Sequence, residues 1–171
     1  MLEVAHTRPH TAPVPFRQWQ KIMAGNFVEY LSADHRACDV RLGQLRKAAV
    51  AGDWNAAQEA FASLQHDVLA HFAAEEEVLF PAFEAATGMS SGPTQVMRGE
   101  HEEARFLIED LEAAVADKDA DGVRGQGEAL LILLQQHNMK EENILYPTAF
   151  KVVGAKAAEL AAQIVMRRET P

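Results

Sequence analysis

The chain has 171 residues and a net charge of -9, with 48% hydrophobic and 24% charged residues. One domain with a substantial core is expected, and the acidic balance argues against non-specific binding to nucleic acid or anionic lipid. No apolar run approaches a membrane span and the first residues lack a signal-peptide core. The single Cys38 excludes an internal disulfide, so a reducing, cytoplasmic setting is expected.

In chain order, residues 1–25 carry Pro9, Pro13 and Pro15 and read as an N-terminal arm. His6 and His10 are expected to be solvated there, and Phe16 to Met23 could be a short helical turn, with Phe16 and Trp19 docking the arm. Asn26 with Glu29 three places on is a helix start. The first helix runs to about Val50, and Gly52 stops it. Its seam, Leu31, His35, Cys38, Leu42, Leu45 and Ala49, advances in steps of four and three, the spacing of one helix face.

Asp53 is the next N-cap. The second helix has the seam Ala57, Phe61, Leu64, Val68, His71, Glu75, Val78 and Ala82, and Pro81 is expected to kink or end it. Thr87 to Pro93 reads as a loop. The third helix, Pro93 to Ala116, has the seam Met97, His101, Ala104, Ile108, Leu111 and Val115. A turn at Asp117–Gly122 leads to the fourth, Val123 to Phe150, with the seam Val123, Gly127, Leu130, Leu134, His137, Glu141, Ile144 and Thr148. Gly154 breaks the chain before a last amphipathic helix, Ala155 to Arg168. The predicted fold is all-α: an antiparallel up-down four-helix bundle over 26–150, with the C-terminal segment 151–171 packing on it. The arm and the last helix are candidates for a homodimer contact.

The segment His71–Pro81 recurs as His137–Pro147, an offset of 66 residues that also carries His35 onto His101. Each seam is thus interrupted by His, or by His and Glu four apart, which lie about 40° apart around the helix and point the same way. From His35 to its helix end is about 22 Å, and the return from Trp54 to His71 about 26 Å, at about 1.5 Å per residue. The four His therefore fall in one layer. Four imidazoles and two carboxylates in an apolar layer need matching charge, and no Lys or Arg interrupts the seams there. A pair of divalent or trivalent cations would supply it. Two Glu could bridge two metals while two His cap each. Iron, manganese or zinc suits such donors better than copper(I). The expected metal ligands are His35, His71, Glu75, His101, His137 and Glu141.

These motifs resemble the hemerythrin-like (HHE cation-binding) family over about 26–150. They are His35, His71-x-x-x-Glu75 before Leu79-Phe80-Pro81, His101 within Glu100-His101-Glu102-Glu103, and His137-x-x-x-Glu141 before Leu145-Tyr146-Pro147. The resemblance implies two iron ions, bridged by two carboxylates and an oxo or hydroxo group. Oxygen-carrying hemerythrins have a fifth His where this chain has Arg105, and place the last carboxylate where it has Glu142. Glu141 is preferred because the repeat pairs it with Glu75. The four-His, two-Glu set is similar to the iron-repair, nitric-oxide-protective branch, without that branch's cysteine-containing N-terminal domain.

The implied function is sensing, storing or reacting with iron, O2, peroxide or NO, as a metal-binding protein more than a metabolic enzyme. Two alternatives stand beside it. One is a di-iron enzyme of the cluster-repair, NO-protective or peroxidase type; the other is a zinc-bound or metal-free structural bundle. Asp39 and Arg105 either pair beside the site or reach solvent. Cys38 reads as an apolar filler, Tyr30 and Tyr146 as packing residues more than hydrogen-bond donors to the site, and His66 as surface or half-buried. Glu76, Glu77, Glu102 and Glu103 read mostly as a solvated acidic face, from which one could supply an extra ligand. Arg167 and Arg168 read as a helix C-terminus favoured by the helix dipole.

Overall fold

The computed structural model describes residues 26–170, so the arm, with His6, His10, Phe16 and Trp19, lies outside the described residues. Helix α1 is Phe27–Val50, capped by the Asn26 side chain accepting from the Glu29 N–H. Gly52 turns the chain at φ +72°, where a Cβ would be strained. Asp53 caps α2, Trp54–Ala74. This helix does not stop at Pro81. It widens into a π turn, Glu75–Leu79, and continues as α3, Phe80–Thr87, ending at Gly88 with φ 73°. Helix α4 is Pro93–Ala116. Helix α5 starts earlier than expected, at Ala120, because Asp119 accepts from the Asp121 N–H and caps it. It spans Ala120–Lys140, passes through a second π turn, Glu141–Leu145, and continues as α6, Tyr146–Val153, beyond the expected end at Phe150. A 3-10 turn, Gly154–Lys156, leads to α7, Ala157–Glu169. The described residues are helical throughout their regular structure, with no strand.

The two π turns correct the expected seams. Every seam residue up to Glu75 and Glu141 is buried as expected, but beyond them Val78 and Ala82 are only half-buried and Ile144 is 62% exposed. The buried positions are instead Leu79 and Phe83, and Leu145 and Ala149. A π turn inserts one extra residue, which rotates the downstream face by about 100°. The wider turn also accommodates the prolines. In it the Phe80 N–H bonds the Glu75 carbonyl. The Glu76 carbonyl faces Pro81, which has no N–H, and accepts instead from Arg98 Nη1 at 3.1 Å.

Helix α1 packs against α2 and α5, and α4 packs against α2 and α5. Helix α7 lies against α1, α2 and the first π turn. The apolar core is divided in two. One cluster includes Phe27, Leu31, Phe80, Phe83 and Tyr146 with Leu160 and Ile164 of α7; the other includes Leu42, Leu45, Leu64, Phe72, Ile108 and Leu130. Between them lies a polar layer.

Candidate metal centre

That layer holds all six expected residues. His35, His71, His101, His137, Glu75 and Glu141 are each 5% exposed or less, the two Glu fully buried. The Nε2 atoms of His35 and His71 are 3.1 Å apart, as are those of His101 and His137. Each carboxylate reaches one imidazole of each pair. Glu75 Oε2 lies 3.4 Å from His71 Nε2 and 3.3 Å from His101 Nε2. Glu141 lies 3.3 Å from His35 Nε2 through Oε2 and 3.1 Å from His137 Nε2 through Oε1. Ligand atoms held about 2.1 Å from a metal at right angles stand about 3 Å apart, so these separations are those of donors around a cation.

The donor set can therefore hold metal. Glu75 Oε2 and Glu141 Oε1 are buried without a hydrogen-bond partner, although imidazole nitrogens stand near them. Orphaned buried carboxylate oxygens are costly unless a cation or donor meets them. Among the described residues no Lys or Arg hydrogen-bonds any of the six. One atom each from Glu75, His101, His137 and Glu141 lies within 4.8 Å of the others, and so do atoms from His35, His71 and Glu141.

A ring of outer carboxylates holds each imidazole through its other nitrogen. Glu142 Oε1 lies 2.7 Å from His35 Nδ1, Glu76 Oε1 2.7 Å from His101 Nδ1, Glu100 Oε2 2.9 Å from His137 Nδ1 and Asp34 Oδ2 3.5 Å from His71 Nδ1. An Nδ1–H donating outward leaves the Nε2 lone pair facing the centre, the arrangement metal-bound His requires. The repeat extends to this ring: Asp34 and Glu100 are 66 residues apart, as are Glu76 and Glu142. Sequence reading missed it and placed Glu76 on a solvated face. The 66-residue offset was the signal that could have found it.

Cations hold three of these four carboxylates. Arg105 Nη2 donates to Glu76 at 2.9 Å and Nη1 to Glu102 at 2.6 Å; Arg105 therefore does not pair with Asp39, whose Oδ1 is buried without a partner. Lys140 contacts Glu100. Arg168, only 8% exposed, donates to Asp34 at 2.8 Å and to Asp67 at 3.0 Å. Arg168 stands in the last turn of α7, as expected, and is in addition a buried link through Asp34 to the imidazole of His71. Arg167, in contrast, makes an exposed pair with Glu77.

Without a cation, protons on the imidazoles offset part of the carboxylate charge in the layer. Burial pushes the His137 imidazole down, but Glu141, Glu75 and Glu100 outweigh it and raise its pKa to about 9. Burial also opposes protonation of His35 and His101, and the carboxylates beside them again prevail. Burial pushes Glu141 up, yet His137 and His35 hold it well below the usual carboxylate range. Burial pushes the Cys38 thiol up to about 12, so it is an inert filler, as expected. His66 is half-buried, also as expected.

Tyr146 departs from its expectation. It is fully buried inside the layer, and its hydroxyl lies 2.6 Å from Glu75 Oε1, 3.0 Å from Glu141 Oε2 and 3.2 Å from His35 Nε2. The second π turn brings it there, by turning Leu145 and Tyr146 inward in place of Ile144. Phe72 stacks on His101 with centroids 3.8 Å apart, and Phe80 stacks on the same ring at 5.7 Å.

Comparison with known proteins bears on the same stretch. The family model described as hemerythrin HHE cation binding domain matches residues 26–149. A curated protein named DNA nickase, from Nostoc sp. (strain PCC 7120), is 26% identical over 144 residues. That match takes in 77% of this chain but 40% of the nickase, so the chain spans about two-fifths of that relative's length. No solved structure matches. No helix of the described residues is long and apolar enough to cross a membrane.

Proposed function

The chain belongs to the hemerythrin HHE cation-binding domain family, and from that premise we propose that its four long helices form an antiparallel up-down bundle holding two metal cations. In this reading His35 and His71 serve one position and His101 and His137 the other, while Glu75 and Glu141 span both. The observation that supports it most directly is the pair of buried, unpartnered carboxylate oxygens, Glu75 Oε2 and Glu141 Oε1, each beside imidazole nitrogens.

Iron is the proposed metal. Mixed imidazole and carboxylate donors accept iron, manganese and zinc, and only the redox-active ions add chemistry to what they bind. Bound iron would supply electron exchange with O2, peroxide or NO, and the proposed role is sensing, storage or reaction in a reducing cytoplasm. The chain's own residues do the rest. The outer carboxylates fix the imidazole tautomer, and the two apolar clusters exclude bulk water from the layer. The DNA-directed activity in the relative's name is not carried over, because a chain with a net charge of -9 repels phosphate backbones.

The test is metal analysis of protein made in iron-supplemented cells, with near-ultraviolet absorption. Two iron ions per chain are expected. Less than one iron, with no other metal retained, would overturn the reading.

A further inference from the structure

The repeat makes the two halves of the layer comparable residue by residue, and three of their differences stand beside the imidazoles and their outer carboxylates. Phe72 corresponds to Asn138, Phe80 to Tyr146 and Arg105 to Asp39, each at an offset of 66. The His101–His137 half is walled by Phe72 and Phe80, and Arg105 closes it from outside. The His35–His71 half has the Tyr146 hydroxyl instead, and its outer carboxylate, Glu142, pairs with no cation among the described residues.

Both halves draw on the two carboxylates, since Glu75 Oε2 lies 3.4 Å from His71 Nε2 and 3.3 Å from His101 Nε2, so the asymmetry lies in the aromatic residue beside each pair. The Tyr146 hydroxyl faces the His35–His71 side. It is 3.2 Å from His35 Nε2, 3.5 Å from His71 Nε2, 2.6 Å from Glu75 Oε1 and 3.0 Å from Glu141 Oε2. A phenol has one proton, so it can donate to one of these four atoms at a time. The hydroxyl can donate to Glu75 Oε1 at 2.6 Å while an oxygen lone pair is left toward the two imidazole nitrogens, the side from which a cation held by them would approach.

We propose that the two metal positions are inequivalent, with Tyr146 supplying a seventh protein donor to the His35–His71 position alone. The inference rests on the two-metal reading above. When the oxygen binds a trivalent cation, the O–H bond breaks, the proton leaves by way of the carboxylate it already faces, Glu75 Oε1 at 2.6 Å, and an oxygen lone pair forms the O–metal bond. No electron changes hands.

The chain has two tyrosines, Tyr30 and Tyr146, which makes the test clean. The wild-type protein loaded with ferric iron is expected to show a visible phenolate-to-iron charge-transfer band, with tyrosine ring modes enhanced on resonance Raman excitation into it. Tyr30→Phe keeps the band at full intensity. Tyr146→Phe abolishes it while still binding two ions, and Phe80→Tyr, which restores the missing symmetry, roughly doubles it. Two bound ferric ions without the band in wild type, or a band that Tyr30→Phe removes, overturns the inference and leaves the two-metal reading intact. Failure of wild type to bind metal overturns that reading itself. Should Tyr146→Phe not fold, as judged by helical circular dichroism, the Tyr30→Phe spectrum decides alone.

Discussion

Glu142 stands one residue past Glu141 and faces a different nitrogen. Glu141 lies at the inner nitrogens of His35 and His137, whereas Glu142 meets the outer nitrogen of His35 at 2.7 Å. Both glutamates are therefore part of the centre, one inside the layer and one on its rim. Outer partners of this kind orient the ring and raise its basicity, and removing them commonly costs 10–100-fold in metal affinity. Glu142→Gln retains size but loses the charge that holds the His35 N–H. Its metal affinity is expected to fall by about 10–100-fold in competition with a coloured chelator. Glu77→Gln, which breaks only the exposed pair with Arg167, leaves affinity unchanged. Equal affinity of the two variants would contradict the role given to Glu142.

The elements show what was legible in the sequence and where it stopped. The seams of α1 and α4 were readable to the last residue, because an uninterrupted α-helix keeps one period and Leu31 to Ala49 and Met97 to Val115 obey it. The six layer residues were readable for the same reason, since they fall before or at the first residue of each π turn. After those turns the period slips by one, and no residue type announces the slip in advance. Hence Val78 and Ile144 were placed inward while Leu79 and Leu145 are buried, and Tyr146 was read as packing. Contacts between side chains distant in sequence, such as Arg168 with Asp34, leave no periodic signal at all. The repeat held the clue to the outer ring, since Asp34 and Glu100, like Glu76 and Glu142, recur at the ligand offset.

The slip itself can be tested. Deleting Val78 removes the extra residue of the first π turn and is expected to return that segment to α-helical register. Leu79 and Phe83, both buried, would then stand three and seven residues past Glu75, on the inward face of a regular helix, so the core and the melting temperature should be largely kept. An alanine inserted after Val78 adds a second extra residue and turns Phe80 and Phe83 about 100° away. Truncating one large core aromatic costs about 3–5 kcal/mol, so the insertion should lower the melting temperature by well over ten degrees. A deletion as damaging as the insertion would show that the π turn does not set the face.

At the scale of the whole molecule, the layer couples stability, protons and metal. The folded pKa of His137 is raised to about 9 from an ordinary 6.5. Its proton therefore stabilises the metal-free fold fully below about pH 6.5, and that contribution is lost as pH rises to about 9. Glu141 is held low, so its contribution is present above the ordinary carboxylate value and is lost only in acid. Without metal, stability should peak between about pH 4.5 and 6.5 and then fall toward pH 9, by no more than on the order of 3 kcal/mol from His137. A metal inverts the slope. It needs the imidazole neutral, so its affinity rises over the same interval, and a ligand bound only by the folded state adds about 2.7 kcal/mol at a hundredfold excess over Kd. Melting curves at pH 6, 7.5 and 9, with chelator and with saturating metal, should therefore diverge as pH rises. Two curves that fall in parallel would mean that the metal and the His137 proton do not compete for one nitrogen.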